Sequence, residues 1–311
     1  MNKKSDSKLV KKFTTTNKLV SSKNKFANEN KNNSTNNFLN YKNEILNLQS
    51  NNLLDKLKLS DQYFDIMNNK WIIEKHIARY GICSEEAPEN SLTAYTKAIE
   101  LNYPILISVR VLKDETVVCF KDNTLTKLSS DGYLSNLTLD EIKTLKILKS
   151  NQTPPTIDEA LELIKGTVPI ILEVFNETTV GKLEENLLKS LENYSNEYNA
   201  YNKIAIMSMN PFTLNWFYNH APWITRILKS CSFKSIKQYA NIKTSKLKKL
   251  KLAKICHADF ICYNAKDLPN NYIRKTHPVG LIAYNVSSQA QYEEMLTISD
   301  NVIFDGFIPQ I

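Results

Sequence analysis

From Trp71 onward, short apolar runs alternate with stretches whose apolar residues recur every three or four positions. The runs "IIEKHIAR", "PILISVRV", "TVVCFK", "VPIILEV", "KIAIMS", "WITRIL", "DFICY" and "VGLIAYNV" have the length and the apolar, often β-branched content of strands. A ninth short run, "NVIF", follows at residues 301–304. Helical spacing falls near residues 90–101, 138–147, 157–164, 180–195, 211–219, 233–254, 268–276 and 288–297. Eight strands with intervening helices predict an α/β fold, a parallel eight-stranded TIM (β/α)8 barrel. A doubly wound open sheet is the alternative. However, no GxGxxG marks a nucleotide turn, and six glycines leave few phosphate-cradling loops.

Local punctuation agrees with this pattern. Pro88 suits the first turn of a helix. Thr156, with Glu159 three residues later, forms a capping-box signature before "IDEALELI". "SDGY" at 130–133 reads as a tight turn, and Asn210-Pro211 reads as an N-cap followed by a first helical residue.

The segment before the barrel is different. Residues 1–37 are rich in Lys, Asn, Ser and Thr and too poor in apolar residues to offset the entropy of ordering, so a disordered tail is expected. Residues 38–70 carry Phe38, Tyr41, Ile45, Leu48, Leu53, Leu54 and Leu57 at helical spacing and predict a helical extension. The barrel is expected over 71–311. The whole chain of 311 residues has a net charge of +8. Residues 1–43 hold ten Lys against Asp6 and Glu29, so the remainder balances to zero. That distribution argues against nucleic acid as partner. It leaves the 1–43 tail as a candidate tether to an anionic membrane surface or a partner protein. There are five cysteines, with no CxxC and no Cys/His metal spacing, and no secretory leader is read at the N-terminus. A reduced, cytoplasmic protein is expected.

In a barrel of this type the chemistry sits at the C-terminal ends of the strands. Those ends carry Arg79-Tyr80-Gly81, then Leu106 and Ser108 on one face, Lys121-Asp122, Glu173 with Phe175, and Ser208-Met209-Asn210. This order, together with "PENS" at 88–91, "LKDETVVCFKDNTLTKL", "DGYLSNLTLDEIKTL", "PPTIDEALELIKGTVPIILEV" and "SMNPFTLNWF", resembles the glycerophosphodiester phosphodiesterase family. The resemblance runs from about Glu74 to the C-terminus. It implies an enzyme of lipid metabolism that releases glycerol 3-phosphate and an alcohol. A divalent cation, Mg or Ca, would be held by a Glu-x-Asp pair and a later Glu, and two histidines would transfer protons.

Position by position, the sequence departs from that pattern. The family's histidines fall at Arg79 and Lys121, the Arg beside the first at Tyr80, and the Glu-x-Asp pair at Leu106 and Ser108. The family's late Lys falls at Phe175, and Glu173 alone keeps its identity. Arg79 cannot act as a base at working pH, and one carboxylate is a poor site for a hard divalent cation. The expectation is therefore a catalytically inactive relative with no metal or other cofactor. Its ligand-binding candidates are Arg79, Tyr80, Glu89, Ser108, Lys121 and Glu173. The two cations could bind a phosphate-containing or other anionic ligand at the rim, or could pair with Glu173 and close the site. An altered but active hydrolase and a tail-driven interaction protein stay open as alternatives. Among substitute groups, His76 faces the wrong way on its strand. Glu89 and Asp122 read first as braces of a helix and a turn.

Overall fold

A computed structural model describes residues 69–176, 179–233, 255–276 and 280–310, with Leu250 and Ala253. The chain divides into two units, Met1–Asp61 and Gln62–Ile311, and every described residue belongs to the second. The tail and most of the helical extension expected over 1–70 lie outside the described residues.

The described chain runs α1 (Trp71–Glu74), β1 (Ile77–Arg79), α2 (Leu92–Glu100), β2 (Ile105–Val111), β3 (Val117–Cys119), α3 (Leu139–Lys143), α4 (Ile157–Ile164), β4 (Ile170–Val174) and α5 (Lys182–Tyr198). It continues through β5 (Ile204–Ser208), α6 (Pro211–His220), β6 (Thr225–Ser230), β7 (Phe260–Asn264), α7 (Asn271–Thr276), β8 (Leu281–Val286), α8 (Gln289–Ile298) and β9 (Asn301–Phe304). Strands β1, β2 and β4 to β9 pair in parallel around a closed circuit, with β1 bonded to both β2 and β9. The expected (β/α)8 barrel is therefore present.

Two strands exchange the roles that the sequence suggests. "TVVCFK" is not a barrel strand. It forms β3, which pairs antiparallel with β2 on the outside of the circuit. Only residues 112–116 join β2 to β3, and so short a link can make a hairpin but not a parallel crossover. "NVIF", the short late run, is the eighth barrel strand and closes the circuit on β1. The stretch "IIEKHIAR" also divides. Its first residues form α1, and only Ile77–Arg79 are extended.

Barrel strands read as nearly continuous apolar runs because both faces are covered. One face of the strands packs against the helices in a large cluster that includes Ile107, Leu172, Ile206 and Ala283. The other fills the barrel with Ile77, Leu106, Ile171, Ala205, Ile227 and Ile303. A separate small core of Leu112, Val118, Phe120, Leu125, Leu134 and Ile142 underlies the β3 excursion and fixes it. The capping box at Thr156 and the Asn210-Pro211 start of α6 are both formed. Pro88 does not open a helix, however. Asn90 has φ +58°, outside helical geometry, so α2 begins at Leu92 with Ser91 accepting from the Ala94 N–H.

Candidate functional site at the barrel mouth

The turn after β1 sets the site. Tyr80 and Gly81 both have positive φ, +63° and +90°. A Cβ on Gly81 would lie 2.6 Å from the backbone C and O of Ala94, so helix α2 approaches as closely as only glycine allows. The Tyr80 N–H donates to Leu106 O at 2.8 Å, and its carbonyl accepts from the Asn90 N–H at 3.0 Å. Asn90 in turn accepts from the Ser108 N–H and the Tyr95 hydroxyl. These bonds turn the Tyr80 ring into the barrel, where it is 1% exposed and packs with the interior cluster. A non-glycine residue in this conformation carries backbone strain of about 1–3 kcal/mol, tolerated where surrounding contacts over-determine it.

Glu173 lies beneath Tyr80. It stands in register with Ser108 on β2 and with Met207 on β5. Its side chain is 2% exposed, and both oxygens are engaged. Oε1 pairs with Lys229 Nζ, and Oε2 accepts from the Tyr80 hydroxyl at 3.2 Å. Burial pushes the Glu173 carboxyl up, but the charge and hydrogen bond of Lys229, the nearby Arg79 and the Tyr80 hydroxyl outweigh it, so the carboxyl is held below its ordinary value. The Tyr80 phenol is pushed well up, by burial first and by the negative Glu173 second. Lys229 is itself 8% exposed and lies 4.4 Å from the centre of the Tyr284 ring.

The cations expected at the rim take different places. Arg79 donates to Asp305 at 2.7 Å and to the Tyr80 hydroxyl at 3.0 Å, with its guanidinium 4.6 Å from the Tyr80 ring centre. Lys121 leaves the end of β3 and brings its ammonium to 5.7 Å from the same ring. It is half-buried, and no carboxylate ion-pairs with it among the described residues. Burial and the neighbouring positive charge of Arg79 hold its pKa below the ordinary lysine value. Phe175, just past the end of β4, lies under Arg110 with the guanidinium 4.9 Å from its ring centre. Arg110 also donates to the Lys121 carbonyl at 2.6 Å, tying β3 to β2 at the rim.

Other candidates are drawn away. Glu89 pairs with Lys127, which also reaches Asp122 at 3.1 Å, so both acids brace the loop after β3. His76 bonds Asn301 at 3.1 Å and meets Tyr292 edge-on. His220 stacks on Trp216 and His257 on Tyr218. Ser108 is fully buried. Its hydroxyl lies beside that of Tyr80 without a hydrogen bond of good geometry, and Asn90 Nδ2 is also without a partner. Lys229, Asp305 and Arg110 have site roles that the sequence reading did not assign. Reading "WITRIL" as a strand stops one residue short of Lys229, although Ile227 and Lys229 share the period-two face.

The residues at Glu173 do not fit a divalent cation. Leu106 and Ser108 bring no charge, Lys229 already neutralises the carboxylate, and no group of three His, Cys, Asp or Glu among the described residues could hold a metal.

The model of the glycerophosphoryl diester phosphodiesterase family matches residues 83–287, about two-thirds of the chain. The chain belongs to that family. No curated protein matches it. Among solved structures it is similar to a glycerophosphodiester phosphodiesterase described as putative from Galdieria sulphuraria, with TM-score 0.61 and 18% identity, over 74% of this chain and 93% of that one. It is also similar to an Oleispira antarctica phosphodiesterase in complex with the product sn-glycerol-3-phosphate, with TM-score 0.60 and 19% identity, over 74% and 92%. A Thermotoga maritima glycerophosphodiester phosphodiesterase gives TM-score 0.55 and 18% identity, over 73% and 92%. At such identities these likenesses establish the shared fold. Among the described residues, no helix is long and apolar enough to cross a membrane.

Proposed function

We propose that this family member does not hydrolyse glycerophosphodiesters and instead binds a phosphate-bearing ligand at the barrel rim. One observation carries the first half. Glu173, the carboxylate that matches the family pattern, has one oxygen on Lys229 and the other under the Tyr80 hydroxyl. A carboxylate so engaged is not available to hold a metal or to accept a proton. Arg79 and Lys121 are also poor proton-transfer groups. The first is permanently charged, and the second would have to lose a proton that lysine ordinarily keeps at neutral pH.

Lys121 supports the second half. A half-buried ammonium beside another cation, with no ion-pair partner among the described residues, is costly for the fold and suited to an anion. Arg79 stands at the same ring, and the Asn90 amide and Ser108 hydroxyl nearby have unused hydrogen-bonding capacity. The test is direct. The protein is incubated with glycerophosphocholine or glycerophosphoglycerol and Mg²⁺ or Ca²⁺, and its binding of sn-glycerol 3-phosphate is measured by calorimetry. The expected result is no turnover, with binding that weakens in Lys121→Met. Turnover that disappears in Glu173→Ala would overturn the reading.

A further inference from the structure

We propose that the Lys229 ammonium is a built-in replacement for the divalent cation, so that the Glu173 site is metal-independent by construction. This deepens the reading above and rests on it only for placing Glu173 at the family's metal position. Charge balance is the first support. A site with three carboxylates needs a doubly charged ion. With Leu106 and Ser108 at two of those positions, one carboxylate remains, and one positive charge balances it.

Geometry is the second support. Lys229 projects from β6 two residues beyond Ile227, which is level with Glu173 through Met207. Its side chain is long enough to bring Nζ onto Glu173 Oε1 from across the barrel interior. Both side chains are almost fully buried, and the Tyr284 ring 4.4 Å away adds an electron-rich face to the ammonium. An added divalent ion would meet Lys229 and Arg79 as like charges and would find one carboxylate in place of several oxygen ligands. The side chain is thus a covalent part of the chain that cannot be lost to a chelator.

Thermal unfolding with and without millimolar Ca²⁺, Mg²⁺ or Mn²⁺ tests the inference. The wild-type chain is expected to show no shift beyond that of Glu173→Gln. Lys229→Ala leaves Glu173 buried and unpaired, and its melting temperature is expected to fall by several degrees. Added methylammonium should recover part of the loss by re-entering the vacated place, and the recovery should vanish in Lys229→Ala/Glu173→Gln. A Lys229→Ala protein that folds but does not respond to methylammonium overturns the inference. Should Lys229→Ala not fold, Glu173→Gln/Lys229→Met decides. Folding without any metal response upholds the inference, because the pair is then dispensable as a unit. Failure to fold assigns Lys229 to general packing and overturns it. A Glu173-dependent metal response in the wild-type chain overturns it in every case. If that chain still fails to hydrolyse glycerophosphodiesters, the functional reading stands alone.

Discussion

Arg79 binds Asp305 at 2.7 Å across the seam where β1 and β9 close the barrel. The pair joins residues far apart in sequence, and it also keeps Arg79 from turning fully toward a ligand. Removing Asp305 should therefore have opposite effects on stability and on binding. The pair is partly exposed, at 11% and 34%, so Asp305→Ala is expected to cost only roughly 0.2–1 kcal/mol of stability. Affinity for sn-glycerol 3-phosphate should rise by a few-fold as Arg79 is released. Calorimetry that shows unchanged or weaker binding would remove Arg79 from the ligand site.

Lys121 gives a pH signature of the opposite kind. Its folded pKa lies below the ordinary value of 10.5 because burial and Arg79 disfavour the ammonium. The unfolded chain therefore binds the proton more readily, and the charge opposes folding at neutral pH. Lys121→Met should be the more stable protein at pH 7. The gap should close as pH rises through the lowered folded value toward 10.5. Unfolding midpoints of the two proteins across that range decide it, and a gap that widens with pH would contradict the assignment.

Glu173 titrates in the other direction. Its folded pKa is held below 4.5, chiefly by Lys229 against the effect of burial. Its contribution to stability is therefore complete above 4.5 and is lost as pH falls through the lowered folded value. Glu173→Gln leaves Lys229 buried without a counter-charge and should cost about 3–5 kcal/mol at neutral pH. The difference from wild type should shrink on acidification below 4.5. Denaturant midpoints at neutral and acid pH measure both effects.

Two glycines separate crowding from conformation. Gly81→Ala forces a Cβ to 2.6 Å from the Ala94 backbone, whereas Gly306, at φ +75°, has nothing within 4 Å. Gly306→Ala should cost about 1 kcal/mol from backbone strain alone. Gly81→Ala should cost well beyond that, or prevent folding, because α2 must move. Comparable melting temperatures for the two variants would show that the α2 contact is softer than the distance implies.

Much of the barrel is legible because alternating apolar runs and amphipathic helices are local signals. Its closure is less so. "TVVCFK" and "NVIF" look alike as short apolar runs, and only the length of the connection before each separates an external hairpin from a barrel strand. The candidate site is legible where a residue lies at or just past a strand end, as at Arg79, Lys121 and Glu173. It is hidden where a partner arrives from a distant strand. Lys229 reaches Glu173 from β6, and Asp305 reaches Arg79 from beyond β9. Those meetings depend on strand order and register, which local patterns do not encode.

The turn of Tyr80, Gly81 and Asn90 has one wider consequence. Gly81 admits α2, and Asn90 holds the ends of β1 and β2 together whether or not any reaction takes place nearby. Folding alone gives these residues their work, whatever chemistry the neighbouring side chains carry. In this chain, Gly81 and the Asn90 that follows it belong to the architecture. A chain recognised by them has inherited a scaffold, and its chemistry has to be read from the residues that scaffold carries inward.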